Sequence, residues 1–143
     1  MTDQGSDPLR LENQLCFPLY ACSRQVVKKY RPYLDALGLT YTQYITMMVL
    51  WAEGKASVKT LGERLYLDSG TLTPLLKSLE AKGYVCRRRS AEDERVLIIE
   101  LTEAGAAMRG QARGVPEKLA GCIPLEPREA MELYRLLYKI LQE

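Results

Sequence analysis

The chain has 143 residues, 47% hydrophobic and 27% charged, with a formal net charge of +2. That balance suits one folded domain over residues 1–143 and excludes a disordered chain. No apolar run nears the ~20 residues of a membrane span, and the polar start Met1-Thr-Asp-Gln-Gly-Ser-Asp lacks the plan of a signal peptide, so a cytoplasmic address is expected.

From about Leu9 to Leu37 apolar residues recur at helical spacing, among them Leu11, Leu15, Leu19, Val26, Tyr30 and Leu34. Pro18 is comfortable only in a first turn, which places the start of the main helix near Leu15 after a separate lead-in. Pro32 predicts a bend or break after Arg31. Thr42 is a candidate cap for a helix running from Gln43 to about Glu53, and Gly54-Lys-Ala reads as a turn. Ser57 caps a short helix over Val58–Leu65. Ser69 opens a helix over Gly70–Lys82, closed by Gly83, with Leu72, Leu75, Leu76 and Leu79 along one face. Tyr84–Arg89 and Val96–Leu101 flank a charged loop and read as a hairpin. Thr102 starts a longer helix limited by Pro116 and Gly121. A last amphipathic helix covers Ala130–Leu141.

Two short helices followed by a hairpin are the elements of a winged helix-turn-helix. The expected fold class is mainly α with a small β-hairpin wing, its DNA-binding part over 42–101. The segments 9–37 and 102–143 are too apolar to face solvent and are expected to build a homodimer. A helix-turn-helix sets the start of its second helix against base edges, which makes Ser69, Thr71, Thr73 and Lys77 candidate contacts to double-stranded operator DNA. Arg95 at the wing tip fits the narrow minor groove of A·T-rich DNA.

There are four cysteines, at 16, 22, 86 and 122, and no histidine. Histidine-dependent catalysis is thereby excluded. Without a C-x-x-C pair a zinc site is unexpected, and no metal, cofactor or catalytic residue is assigned. Thiol redox chemistry remains open.

The run Asp93-Glu-Arg-Val-Leu-Ile-Ile-Glu-Leu-Thr-Glu-Ala-Gly resembles the wing of the multiple antibiotic resistance regulator family, and Ser69–Val85 resembles its recognition helix. Gln14-Leu-Cys-Phe-Pro-Leu-Tyr-Ala and Leu39-Thr-Tyr-Thr-Gln-Tyr resemble the organic hydroperoxide resistance repressors within it. The resemblance extends DNA contact to Gly70, Pro74, Arg88 and Asp93. It also implies that Cys16 is an organic hydroperoxide sensor and that Tyr30 and Tyr41 hydrogen-bond it from the partner subunit; some members carry a resolving cysteine late in the chain, which makes Cys122 the candidate, with a low-molecular-weight thiol as the other route. Pro18 departs from the pattern of many relatives, which carry alanine there.

Chemistry agrees with that assignment. A thiolate at a helix N-terminus is favoured by the dipole and free N–H groups. The apolar neighbours Leu15, Phe17, Leu19 and Tyr20 favour an organic peroxide over hydrogen peroxide. Oxidation gives a sulfenic acid, then a disulfide or overoxidation. Cys22 is six residues along the same helix, about 9 Å away and beyond the ~7 Å Cα limit for a disulfide. Two alternatives stay open: a repressor of the same family released by a small phenolic or lipophilic ligand, and a thiol peroxidase enzyme.

Overall fold

The computed structural model describes residues 7–142, so the polar start at residues 1–6 lies outside the described residues. Seven α-helices and three short strands follow one another among them. A 3-10 turn, Leu11–Asn13, leads into α1, Cys16–Asp35, which fits the expected separate lead-in. The break foreseen at Pro32 does not occur, and α1 runs through it. Pro32 faces solvent and removes only the hydrogen bond to the Lys28 carbonyl, on an exposed turn that water can satisfy.

Helix α2, Tyr41–Glu53, is capped by Thr40 rather than Thr42. The Thr40 hydroxyl accepts from the Gln43 N–H at 3.3 Å while the Gln43 side chain accepts from the Thr40 N–H at 3.1 Å, a reciprocal capping box. Gly54, at φ 79°, ends it in a conformation that side chains resist. The next three residues, expected as a turn, form β1, Lys55–Ser57. Ser57 caps α3, Val58–Leu65, by accepting from the Thr60 N–H at 3.0 Å. Helix α4, Ser69–Ala81, starts one residue before the expected Gly70 and is capped by Asp68, not Ser69.

Strands β2, Val85–Arg89, and β3, Leu97–Leu101, form the expected hairpin. The sheet order is β1-β3-β2, all antiparallel, with Ala56 opposite Ile99 and Arg87 also opposite Ile99. Thr102 caps α5, Glu103–Ala112, by accepting from the Gly105 N–H at 3.1 Å. Pro116 falls in the first turn of a separate α6, Val115–Ala120, so the long helix is split in two. Helix α7, Pro127–Leu141, begins three residues earlier than its apolar pattern, on a capping box between Glu126 and Glu129.

The core lies where α2, α3, α4 and the sheet meet: Met47, Leu50, Leu61, Leu72, Leu76, Leu79 and Ile99 are sealed from solvent. Helix α6 packs on α1. Helix α7 is different, for it buries no residue within the chain. Met131, Leu133, Tyr134, Leu136, Tyr138, Ile140 and Leu141 are exposed along it, as are Leu9, Leu11, Leu15, Phe17, Leu19 and Tyr20 around the start of α1. Among the described residues no helix is long and apolar enough to cross a membrane.

Candidate functional site

Two surfaces carry chemistry. The first is the open face of α4. Its leucine stripe is buried, which turns Ser69, Gly70, Thr71, Thr73, Pro74 and Lys77 outward. The Asp68 carboxylate accepts the Thr71 N–H at 2.7 Å, and that bond holds its carboxyl below the ordinary range. The Thr73 hydroxyl donates to the Ser69 carbonyl at 2.8 Å, so toward a ligand it offers lone pairs rather than a proton. Pro74 has no N–H for the Gly70 carbonyl, which leaves a backbone acceptor on the same exposed turn.

The wing stands beside this helix. Arg87 binds Glu80 of α4 through two nitrogens, at 3.0 and 3.2 Å, lashing β2 to the recognition helix; the same contact draws the Glu80 carboxyl down. Arg88 is shared with Glu100 across the hairpin at 3.1 Å. At the tip, Asp93 grips Arg95 in fork geometry, at 3.1 and 3.2 Å, and also accepts its backbone N–H at 3.0 Å. Those bonds lower the Asp93 carboxyl, yet the Arg95 side chain is 91% exposed. The aspartate thus aims the arginine outward in one orientation. Arg89 was not singled out from the sequence. It is exposed at the end of β2 and joins no ion pair among the described residues, a free cation beside the wing tip. Its only sequence signal was membership of the run Arg87-Arg88-Arg89.

The second surface is the thiol site. Cys16 is the first residue of α1 and is exposed. Leu15 precedes it without any side-chain cap, so no cap side chain satisfies the first-turn N–H groups of α1. Its neighbours in sequence, Leu15, Phe17, Leu19 and Tyr20, are exposed as well.

Tyr30, Tyr41 and Tyr44 form an aromatic cluster, with ring centroids 4.9 Å apart for Tyr30 and Tyr41 and 5.7 Å for Tyr30 and Tyr44. Burial, then the neighbouring Tyr41 and Tyr44, pushes Tyr30 up to about 12. Burial raises Tyr41 and Tyr44 as well. These hydroxyls therefore keep their protons at neutral pH and can donate them in hydrogen bonds. Fourteen residues of α1 separate Cys16 from Tyr30, about 21 Å along the axis. Neither Tyr30 nor the Tyr41 packed against it reaches the cysteine of its own chain.

Cys122 follows α6 and is half-buried against α1. Its sulfur lies 3.7 Å from the Tyr33 hydroxyl and donates to the Lys118 carbonyl at 3.4 Å. The Lys29 ammonium donates to the Cys122 carbonyl at 3.1 Å, and Lys118 sits over the Tyr33 ring. The contact with Cys122 raises Tyr33 above its ordinary value. Lys29 and Tyr33 lie about 20 to 25 Å along α1 from Cys16. A disulfide within one chain is therefore out of reach. Cys22 and Cys86 are exposed on α1 and β2. Among the described residues no group of Cys, Asp or Glu could hold a metal ion.

A winged helix-turn-helix with an open recognition face and an arginine held out at the wing tip defines a DNA-binding transcriptional regulator. The model of the SarA/Rot transcriptional regulators matches residues 28–109, and the chain belongs to this family of winged-helix regulators, related to the multiple antibiotic resistance type. It is 46% identical over 136 residues to the organic hydroperoxide resistance transcriptional regulator of Bacillus subtilis (strain 168), covering 95% of this chain and 92% of that one. It also resembles AbfR of Staphylococcus epidermidis: reduced AbfR bound to DNA has 38% identity and a TM-score of 0.79, covering 96% and 94% of the two chains. Disulfide-formed AbfR has a TM-score of 0.66 at 38% identity, covering 94% of each.

Proposed function

We propose that the protein is a homodimeric repressor that senses organic hydroperoxides through Cys16 and leaves its operator when that thiol is oxidised. One observation carries the reading. Cys16 stands exposed at an uncapped helix start amid apolar side chains, while the tyrosines and the second thiol that would serve it lie about 20 Å away in the same chain. A second copy docked on the exposed apolar faces of α1 and α7 would bring its own set to the site.

The Cys16 thiolate attacks one peroxide oxygen and the O–O bond breaks. The leaving alkoxide takes a proton from water, and Cys16 becomes a sulfenic acid. The neutral hydroxyls of Tyr30 and Tyr41 of the partner subunit donate to the sulfur and stabilise its charge. The thiol of Cys122 of the partner subunit then attacks the sulfenic sulfur, forming the disulfide and releasing water. Closing that bond draws Cys122 off Tyr33 and Lys29, displaces α6 and α7, and changes the spacing of the two recognition helices. Two heads at the wrong spacing cannot both fit half-sites one helical turn apart. The name of the Bacillus relative and the existence of a disulfide form of AbfR support this sequence of events.

The test is fluorescence anisotropy on DNA upstream of the protein's own coding region, before and after one equivalent of an organic hydroperoxide, then reductant. Wild type releases and rebinds, Cys16→Ser stays bound, and Cys122→Ser accumulates sulfenic acid. Binding by wild type that ignores the peroxide refutes the proposal and leaves a ligand-responsive repressor.

A further inference from the structure

Gln43 is only 5% exposed, yet its amide joins three separate parts of the chain. Its oxygen accepts from the Thr40 N–H at 3.1 Å and from the Lys82 ammonium at 2.9 Å. Its nitrogen donates to the Ser78 hydroxyl at 3.0 Å. Lys82 also donates to the Gly38 carbonyl, at 2.6 Å. The turn after α1, the start of α2 and the far end of the recognition helix α4 are thus held through one buried side chain. Tyr41 and Tyr44 of the aromatic cluster sit on the same turn of α2 as Gln43.

We infer that Gln43, with Ser78 and Lys82, is the positioning link through which the tyrosine cluster sets the orientation of α4 on DNA. A shift of Tyr41 moves the start of α2. The bonds at Gln43 cannot absorb that movement without leaving a buried polar group unpaired, so the end of α4 follows. Helix α4 has 13 residues and is about 20 Å long, so a tilt of about 5° carries its Ser69 end about 1.7 Å. That displacement exceeds what hydrogen bonds to base edges tolerate. Gln43 and Ser78 touch no DNA in this account; they act through Ser69, Thr71 and Lys77. The oxidation arm of the test below rests on the proposed function, whereas the affinity arm stands without it.

The experiment is a double-mutant cycle on operator affinity in the reduced protein. Its members are Tyr41→Ala, the pair Ser78→Ala/Lys82→Met, and their combination. Gln43 and its capping box with Thr40 are left intact, and circular dichroism of each variant checks that it is folded before affinity is compared. Tyr41→Ala weakens binding roughly five- to tenfold in the wild-type background and changes nothing once the pair is replaced. Additive effects overturn the link. The salt dependence of binding keeps its slope in the pair variant; a slope reduced by about 1 makes Lys82 a phosphate contact and overturns its role here. In the oxidation arm, the pair variant forms sulfenic acid at Cys16 at the wild-type rate but loses less of its DNA affinity than wild type, because the disulfide still moves α6 and α7 while the route through Gln43 is cut. Release of wild-type magnitude from that variant also overturns the link. If wild type itself ignores the peroxide, the proposed sensor fails while the affinity cycle still decides the link.

Discussion

Gly105→Ala puts the packing between the wing and α5 to a quantitative test. Gly105 lies in the first turn of α5 and is buried against Tyr84, just before β2. An added Cβ would collide with the Tyr84 carbonyl oxygen, stand 2.9 Å from the carbonyl carbon and lie 3.2 Å from Leu101 Cδ2. That carbonyl cannot retreat freely, because it accepts the Thr102 N–H at 3.1 Å. On the other side, the Trp51 indole N–H donates to the Gly105 carbonyl at 2.8 Å and holds the turn in place. Helix propensity alone would make alanine more stable than glycine here by about 1 kcal/mol. Forced backbone displacement costs more, about 3 kcal/mol net, and lowers Tm by roughly 10 °C for a chain of this size. Thermal unfolding by circular dichroism, beside Gly110→Ala as a control in open space, reads the difference. A Tm for Gly105→Ala equal to or above wild type refutes the packing argument.

Arg95→Ala removes the side chain that Asp93 holds outward; operator affinity falls about tenfold, with the greatest loss on A·T-rich flanks, measured by anisotropy on paired duplexes. Thr102→Ala deletes the α5 cap and destabilises the fold by about 1 kcal/mol in urea titrations, with the slope of the transition unchanged. The tyrosine cluster makes stability depend on alkaline pH. A raised Tyr30 keeps its proton in the folded chain while the unfolded chain loses it, so the native state binds more protons in that interval. Stability is therefore full below pH 10 and declines from about 10 to about 12. Tyr30→Phe flattens that decline in part, since Tyr41 and Tyr44 still contribute, and an undiminished slope would count against the cluster.

Local signals made much of the fold legible. Ser57 and Thr102 cap where a side-chain oxygen precedes an apolar stripe, and the four leucines of α4 announce its buried face. Strand β1 was not legible: three residues carry no periodicity, and their extended form depends on Ile98–Glu100 opposite them. Thr40 and Thr42 are chemically alike, and only the extended backbone at Thr40 decides which one caps. Asp68 and Ser69 posed the same ambiguity. At the site, the sequence pointed to the exposed face of α4 and to Arg95. It could not place Cys122, whose neighbours Lys29 and Tyr33 lie some ninety positions earlier in the chain. Nor could it show Arg88 committed to Glu100 while Arg89 stays free.

Helix α7 has 15 residues and buries none of them within its own chain. Isolated helices of that length are marginal in water, so α7 has little to hold it until something covers its apolar side. Covering it with a second copy ties folding to assembly by mass action: the thermal midpoint climbs as the protein is concentrated and drops on dilution. Cellular abundance then governs two quantities at once, the occupancy of DNA and the fraction of chains whose last helix is formed. A scarce regulator would lose both together, so its DNA occupancy would fall more steeply with concentration than operator affinity alone dictates.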